Sequence, residues 1–371
     1  MPVLYNPARH EPPVETPWSE TVVRETIDRI VTNARSAISP SGQFPAHPRD
    51  NSDAEWSGTS HYFGSAGILW ALGYLDRERA TAINNQWLID HLTNIAEQMQ
   101  GEYEGTPMGE GVSMMFGDLP ICMQLFDLTN DVFWRDQIVE RMAKSIQAPV
   151  QEMMWGMPGV LILSRLINDA ELRNTIKSYE DQNIKRLFDA WSHEQDGITI
   201  WLEELYGHKA PYLGPVHGFT GQVLPLLQRF AELSEQQRKM TLERTRAVLL
   251  QTALQEDGQA NWPAAVSQPC EMVQYCHGAA GVVISMCEYP AGDTDVDELL
   301  LRAGELIWQA GPLTKGSNLC HGTGGNGYAF LKLFARIGEE RWLEHARGFA
   351  MHGIAQYGAE AEKVGFDRFS L

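Results

Sequence analysis

Two thiol–imidazole doublets stand out in this sequence: Cys276-His277, followed by Gly278, and Cys320-His321, followed by Gly322. Thiolate sulfur and neutral imidazole nitrogen are donors that suit zinc, at about 2.0–2.3 Å in a tetrahedral shell. Two such doublets on separate turns predict one mononuclear site assembled from distant parts of the chain. Residue type alone leaves open whether His277 or His321 supplies the nitrogen. A site with three protein donors keeps a fourth position for an incoming thiol, which loses its proton near neutral pH because the cation stabilises the thiolate. A thiolate so activated can add to an electron-poor alkene conjugated to a carbonyl, giving a thioether. The enolate left behind needs a proton, and an imidazole titrating near pH 7 is a suitable donor.

The elements that must position these residues recur along the chain. Phe63-Gly64, Phe116-Gly117, Trp155-Gly156, His217-Gly218, His277-Gly278 and His321-Gly322 each open an apolar run, making six copies of one aromatic-or-His, Gly, x, x, small unit. The copies are spaced by roughly 40–60 residues, the range that signals a closed or solenoid array of helix pairs. Between them lie more polar stretches with helical periodicity: 82–98, 133–146, 170–191, 234–254 and 297–310. A helix that is apolar all round is buried, and an amphipathic one covers it. No segment alternates with period two for long enough to predict a strand. If the array closes, the helix N-termini that follow the glycines converge at one end, where their positive dipole ends favour thiolate.

The remaining composition narrows the possibilities. The chain has 371 residues and a formal charge of −19, from 48 acidic and 29 basic residues. That balance argues against a nucleic-acid or anionic-membrane surface. No apolar run is long enough to span a membrane. The start, Met1-Pro2-Val3-Leu4-Tyr5-Asn6-Pro7, lacks the basic and apolar regions of a secretory signal. Five cysteines with no export signal point to free thiols and metal ligands in the cytoplasm. Prolines 2, 7, 12, 13 and 17 make residues 1–18 an extended arm, and residues 19–371 are expected to form a single domain. Cys122 and Cys287 lie in apolar runs and are expected to pack rather than ligate, and Cys270 is not expected to be a ligand. Glu203 and Glu204 read as rim charges on a long loop.

With both turns in view, residues from about Gly58 to Leu371 resemble the LanC-like family, the bacterial lanthionine synthetase C proteins and their eukaryotic relatives. The most specific stretch is Leu319-Cys320-His321-Gly322-Thr323-Gly324-Gly325-Asn326-Gly327-Tyr328-Ala329-Phe330-Leu331. The resemblance implies an all-α fold, an α/α toroid with an inner ring of helices inside an outer one. The family has seven hairpins, and the seventh is expected to be incomplete here, because the sequence stops at Asp367-Arg368-Phe369-Ser370-Leu371. It implies one zinc ion per chain, held by Cys276, Cys320 and His321. His217, Glu152 and Lys315 match catalytic or substrate-site positions: His217 as proton donor, Lys315 as an anchor for the enolate oxygen or a substrate carboxylate, Glu152 orienting His217 or the substrate amide. Tyr275 stands where tryptophan is usual, and Glu152 where the peptide cyclases usually carry aspartate.

The Cys-His-Gly form of the first turn and Lys315 are closer to the eukaryotic-type members. The expected activity is therefore addition of glutathione to dehydrated sites in peptides or proteins. The alternatives are intramolecular lanthionine formation by a peptide thiol and a non-catalytic scaffold that binds glutathione or peptide. A carbohydrate enzyme on an α/α toroid would need two opposed carboxylates and gives the Cys-His turns no role.

Overall fold

The computed structural model describes residues 4–50, 53, 55–102, 112–205 and 207–369. The first three residues of the proline-rich arm and the final Ser370-Leu371 lie outside the described residues. Thirteen α-helices occur among the described residues: α1 (Glu20–Ala37), α2 (Ser65–Arg77), α3 (Asn85–Glu102), α4 (Leu119–Thr129), α5 (Val132–Ser145), α6 (Met157–Ser164), α7 (Ala170–Ala190), α8 (Phe219–Gln228), α9 (Glu235–Thr252), α10 (Ala279–Met286), α11 (Thr294–Ala310), α12 (Thr323–Ile337) and α13 (Glu340–Val364). The six glycine turns lead into α2, α4, α6, α8, α10 and α12, and amphipathic helices follow each of them.

The two kinds of helix start differently, for a physical reason. The first N–H groups of any helix lack intrahelical acceptors. Six of the amphipathic helices satisfy them with a polar side chain just ahead: Ser19, Asn84, Asp131, Asp169, Ser234 and Asp293. Ser234 and Gln237 form a reciprocal capping box. The helices after the glycine turns have no side-chain cap. In α8 and α12 the free N–H groups turn instead to the preceding loop, Phe219 N–H donating to the Tyr212 carbonyl at 2.9 Å and Thr323 N–H to Gly316 at 2.9 Å, while in α10 the first N–H, that of Ala279, donates to the side-chain oxygen of the more distant Asn261 at 2.7 Å. A helix start sealed in either way can be buried on all sides, and every residue of α10 is buried. In α11 the buried set is Val296, Leu299, Leu300, Ala303, Gly304, Leu306, Ile307 and Ala310, the stripe of a covering helix.

The chain folds as two compact units. One comprises Met1–Trp18, Gln151–Met153 and Ile184–Gln356, and so holds α8–α12, the end of α7 and most of α13. Within it α10 packs on α8, α11 and α12. The arm is tied down here: Asn6 N–H donates to Glu271, Glu11 N–H to Pro312, and His352 Nε2 lies 2.9 Å from Glu11 Oε1. The other unit comprises Ser19–Val150, Met154–Asn183 and Tyr357–Leu371, with α1–α6. Its core is Leu69, Leu72, Leu88, Leu92, Ile95, Ile121 and Leu125 around Phe44. The end of the described chain packs on the same unit, Phe369 tilting against Phe44 and Asp367 accepting from Asn33 at 2.9 Å.

Among the described residues three short antiparallel hairpins depart from the expectation of no strands: β1 (His193–Gln195) with β2 (Ile198–Ile200), β3 (Glu203–Leu205) with β4 (His208–Ala210), and β5 (Leu254–Glu256) with β6 (Gln259–Asn261). Two of them turn through Asp-Gly pairs with positive φ, Asp196-Gly197 and Asp257-Gly258, a sequence suited to tight hairpins. Behind each lies a buried tryptophan whose indole N–H caps a carbonyl near the end of the preceding helix, Trp201 to Leu187 at 3.0 Å and Trp262 to Leu249 at 3.1 Å. Three-residue strands are too short to leave a periodic signal.

Candidate metal centre

Cys276 sits on the turn ahead of α10, and Cys320 and His321 on the turn ahead of α12. Each turn folds back so tightly on the first turn of its helix that the third helical residue, Gly281 or Gly325, cannot carry a side chain. A Cβ on Gly281 would lie 1.8 Å from the Tyr275 carbonyl oxygen, and one on Gly325 2.1 Å from that of Leu319. The two turns are fastened to each other. Cys276 N–H donates to the Cys320 carbonyl at 3.4 Å, and the buried Asn326 of α12 donates its amide to the Val273 carbonyl at 2.9 Å. Asn318 shapes the second turn by accepting the His321 N–H at 2.8 Å.

This brings together the three residues that the sequence resemblance singled out. One ligand atom each from Cys276, Cys320 and His321 lies within 4.8 Å of the others. Cys320 Sγ and His321 Nε2 are 3.8 Å apart. Bonds of about 2.0–2.3 Å to a tetrahedral ion require donor separations of this order. The electrostatics fit a cation as well. A shared hydrogen bond with Cys320, then burial, hold the Cys276 thiol far above the ordinary range, while Gln274 and Lys315 pull the other way. Two buried thiols facing each other resist ionisation, and a divalent ion between them reverses that balance. The donor set therefore can hold a metal ion. Lys315 is exposed, yet its charge reaches Cys276.

His217 comes from the turn ahead of α8, and Glu152 from the short segment 151–153. His217 Nδ1 lies 2.9 Å from Glu152 Oε2, and Glu152 is completely buried. A carboxylate can only accept, so Nδ1 carries the proton and Nε2 is left for other work. His277 lies beside them, its ring centroid 6.3 Å from that of His217. Burial, then the charges of His217 and His321, push His277 down to about 4. Near pH 7 it is therefore a neutral imidazole.

The structure adds residues that the sequence reading passed over. Gln274, buried, donates its amide to Cys276 Sγ at 2.9 Å and accepts from Arg9 of the arm at 2.8 Å. Gln222 opens the buried helix α8 and donates to Glu203 at 2.7 Å. A polar side chain at the start of an otherwise apolar run was the available signal, since burial demands a partner. Glu203 itself overturns the expectation of a rim charge: it is buried. Glu204 beside it is exposed, as that expectation had it. Cys122 and Cys270 are buried and Cys287 is partly so; burial pushes each thiol up to about 12, and none joins the Cys276–Cys320–His321 cluster.

The lanthionine synthetase C-like protein family model matches residues 21–367. Among related proteins, LanC-like protein GCL1 of Arabidopsis thaliana is 31% identical over 150 residues, 39% of this chain and 33% of that protein. Glutathione S-transferase LANCL1 of Danio rerio is 30% identical over 151 residues, 38% of this chain and 35% of that protein. The matched stretch thus spans about a third of each relative's length. Nisin cyclase superposes with a TM-score of 0.65 at 15% identity, covering 95% of this chain and 92% of that one, a likeness of fold. The chain belongs to the lanthionine synthetase C-like family and has its all-α toroid fold. Among the described residues no helix is long and apolar enough to cross a membrane.

Proposed function

We propose that this lanthionine synthetase C-like chain joins a thiol to a dehydroalanine or dehydrobutyrine side chain, with glutathione as the thiol and a dehydrated peptide or protein as the acceptor. The observation that carries this reading is the juxtaposition of a Cys276–Cys320–His321 donor cluster with a part-buried histidine hydrogen-bonded to a buried carboxylate. The Danio rerio relative's name, a glutathione S-transferase, supports the choice of thiol.

Zinc is the metal proposed for the cluster, one ion per chain, where it would supply the Lewis acidity that keeps an incoming thiol ionised near neutral pH. The rest of the reaction falls to the chain's own side chains. The thiol gives up its proton, its sulfur bonds to the acceptor's β-carbon, and the alkene electron pair moves toward the α-carbon and carbonyl. A proton must then arrive at the α-carbon, and no group leaves. His217 is suited to deliver it. Glu152 fixes the tautomer by accepting from Nδ1 and stabilises the charged imidazolium, so the transferable proton sits on Nε2. Lys315, exposed and within electrostatic reach of Cys276, is placed to hold a carboxylate of the incoming thiol or to stabilise the enolate oxygen.

The test is mass spectrometry of a dehydroalanine peptide incubated with glutathione and the pure protein. An adduct that forms with zinc and disappears after chelation supports the proposal. Cyclisation of a peptide by its own cysteine, with glutathione ignored, would favour the peptide-cyclase alternative. Glutathione or peptide binding without turnover, unaltered by Cys320→Ala, would favour a scaffold. The proposed setting is cytoplasmic, where glutathione is abundant and five free cysteines stay reduced.

A further inference from the structure

We infer that Glu203 is a positioning residue that holds Glu152 against His217, so that this hairpin glutamate governs the orientation of the proposed proton donor. The strands β3 and β4 pair Glu203 with Ala210 and Glu204 with Lys209. Successive strand residues face opposite ways. Glu204 therefore stays exposed while Glu203 is turned inward and buried.

Its bonds converge on the backbone of one residue, Gln151. Gln222 Nε2 donates to Glu203 Oε1 at 2.7 Å and to the Gln151 carbonyl at 2.8 Å. The Gln151 backbone in turn hydrogen-bonds the Glu203 carboxylate. Gln151 is thus gripped on both its backbone polar groups, and the next residue is Glu152. Gln222 lies on α8, directly after the turn that carries His217. The chain of contacts closes on itself: His217 to Glu152, Glu152 to Gln151, Gln151 to Glu203 and Gln222, and Gln222 back through α8 to His217. A glutamate placed here is unfavourable in isolation, because burial and then the charge of Glu152 raise it to about 7. That cost is consistent with a role in holding the site and not with a solvated surface charge.

The turnover consequence rests on the proposed reaction; the orientation of His217 does not. The experiment is imidazole NMR on the full chain, zinc added, with the His217 Nδ1–H signal assigned by its loss in His217→Asn. Glu203→Ala should move or abolish that signal with metal content unchanged. It should also lower turnover about 10–100-fold with KM for the thiol held within about twofold, the size seen when a supporting partner is removed. Glu203→Gln keeps an oxygen for the Gln151 N–H and should restore most of both. A wild-type His217 signal in folded Glu203→Ala overturns the inference. Should that variant not fold, Gln222→Ala cuts the other arm of the clamp and must show the same loss; a wild-type signal there overturns it equally. If the native protein forms no thioether, the reaction reading falls and the imidazole signal alone decides the clamp.

Discussion

The residue before the turn glycine makes the two units of this molecule different. In one unit that position is Phe63, Phe116 and Trp155. Phe116 and Trp155 stack at 4.1 Å with an interplanar angle of 3°, and Phe63 lies 6.1 Å from Phe116. In the other it is His217, His277 and His321, whose rings are close enough for the charges of the first and third to depress the second. The turn and the buried helix behind it are common to both. Rings with no titratable atom give one unit a stacked row that stabilises by area and aromatic contact. Imidazoles at the same positions give the other titratable rings that can ligate a metal or carry a proton. The scaffold sets where side chains gather, and side-chain type then sets whether they pack or react.

Substitutions on each side should separate these roles. The largest effect is expected from Cys320→Ala, which should take bound zinc from about one per chain to near none and abolish thioether formation, as read by metal analysis and mass spectrometry. Unchanged metal content would break the contrast at its root. His217→Ala should retain the metal but slow turnover by about 10²–10⁴-fold, the usual worth of a positioned proton donor. Wild-type rates in that variant would remove it from the chemistry. In the aromatic unit, Phe116→Ala should cost about 3–5 kcal/mol of stability in urea unfolding, with zinc content unaltered. A loss of metal there would show that the stacked row does more than pack.

The smallest effect is a pH dependence. Glu203 titrates near 7 in the folded chain against an ordinary value of 4.5. The folded state therefore takes up this proton more readily than the unfolded one. Its contribution is fully present below pH 4.5 and is lost as pH rises through about 7, a change of up to about 3 kcal/mol. Glu203→Gln should be free of that loss, so its stability relative to the native chain should rise between pH 5 and pH 8. Parallel curves for the two proteins would contradict the burial of an ionisable group at this position.

Much of the helical scheme was legible because burial writes itself into composition. Six apolar runs opening on glycine mark the helices that must be sealed on all sides, and Ser or Asp ahead of a polar-striped run marks the helices that cover them. Helix limits were less well read: α3 starts at Asn85 rather than at residue 82, and α11 at Thr294 rather than at 297, because Asn84 and Asp293 supply the caps. The hairpins escaped because three residues carry no period, though Asp196-Gly197 and Asp257-Gly258 were visible turn signals.

By itself the sequence determined the donors: two thiols and their neighbouring imidazoles, each tied to a glycine turn, together with His217 and Glu152 as residues worth watching. The doublets are properties of residue type and local spacing; His217 and Glu152 were singled out by the resemblance to the family. Only the tertiary structure decided which of them meet. Cys276 and Cys320 become neighbours through backbone and Asn326 hydrogen bonds between two turns, and Glu152 reaches His217 across 65 residues of chain. It also decided that Glu203 faces inward while Glu204 faces out, a distinction that strand register makes and that adjacent identical residues cannot announce. Separation along the chain carries no information about approach in space, and so the centre had to be seen folded.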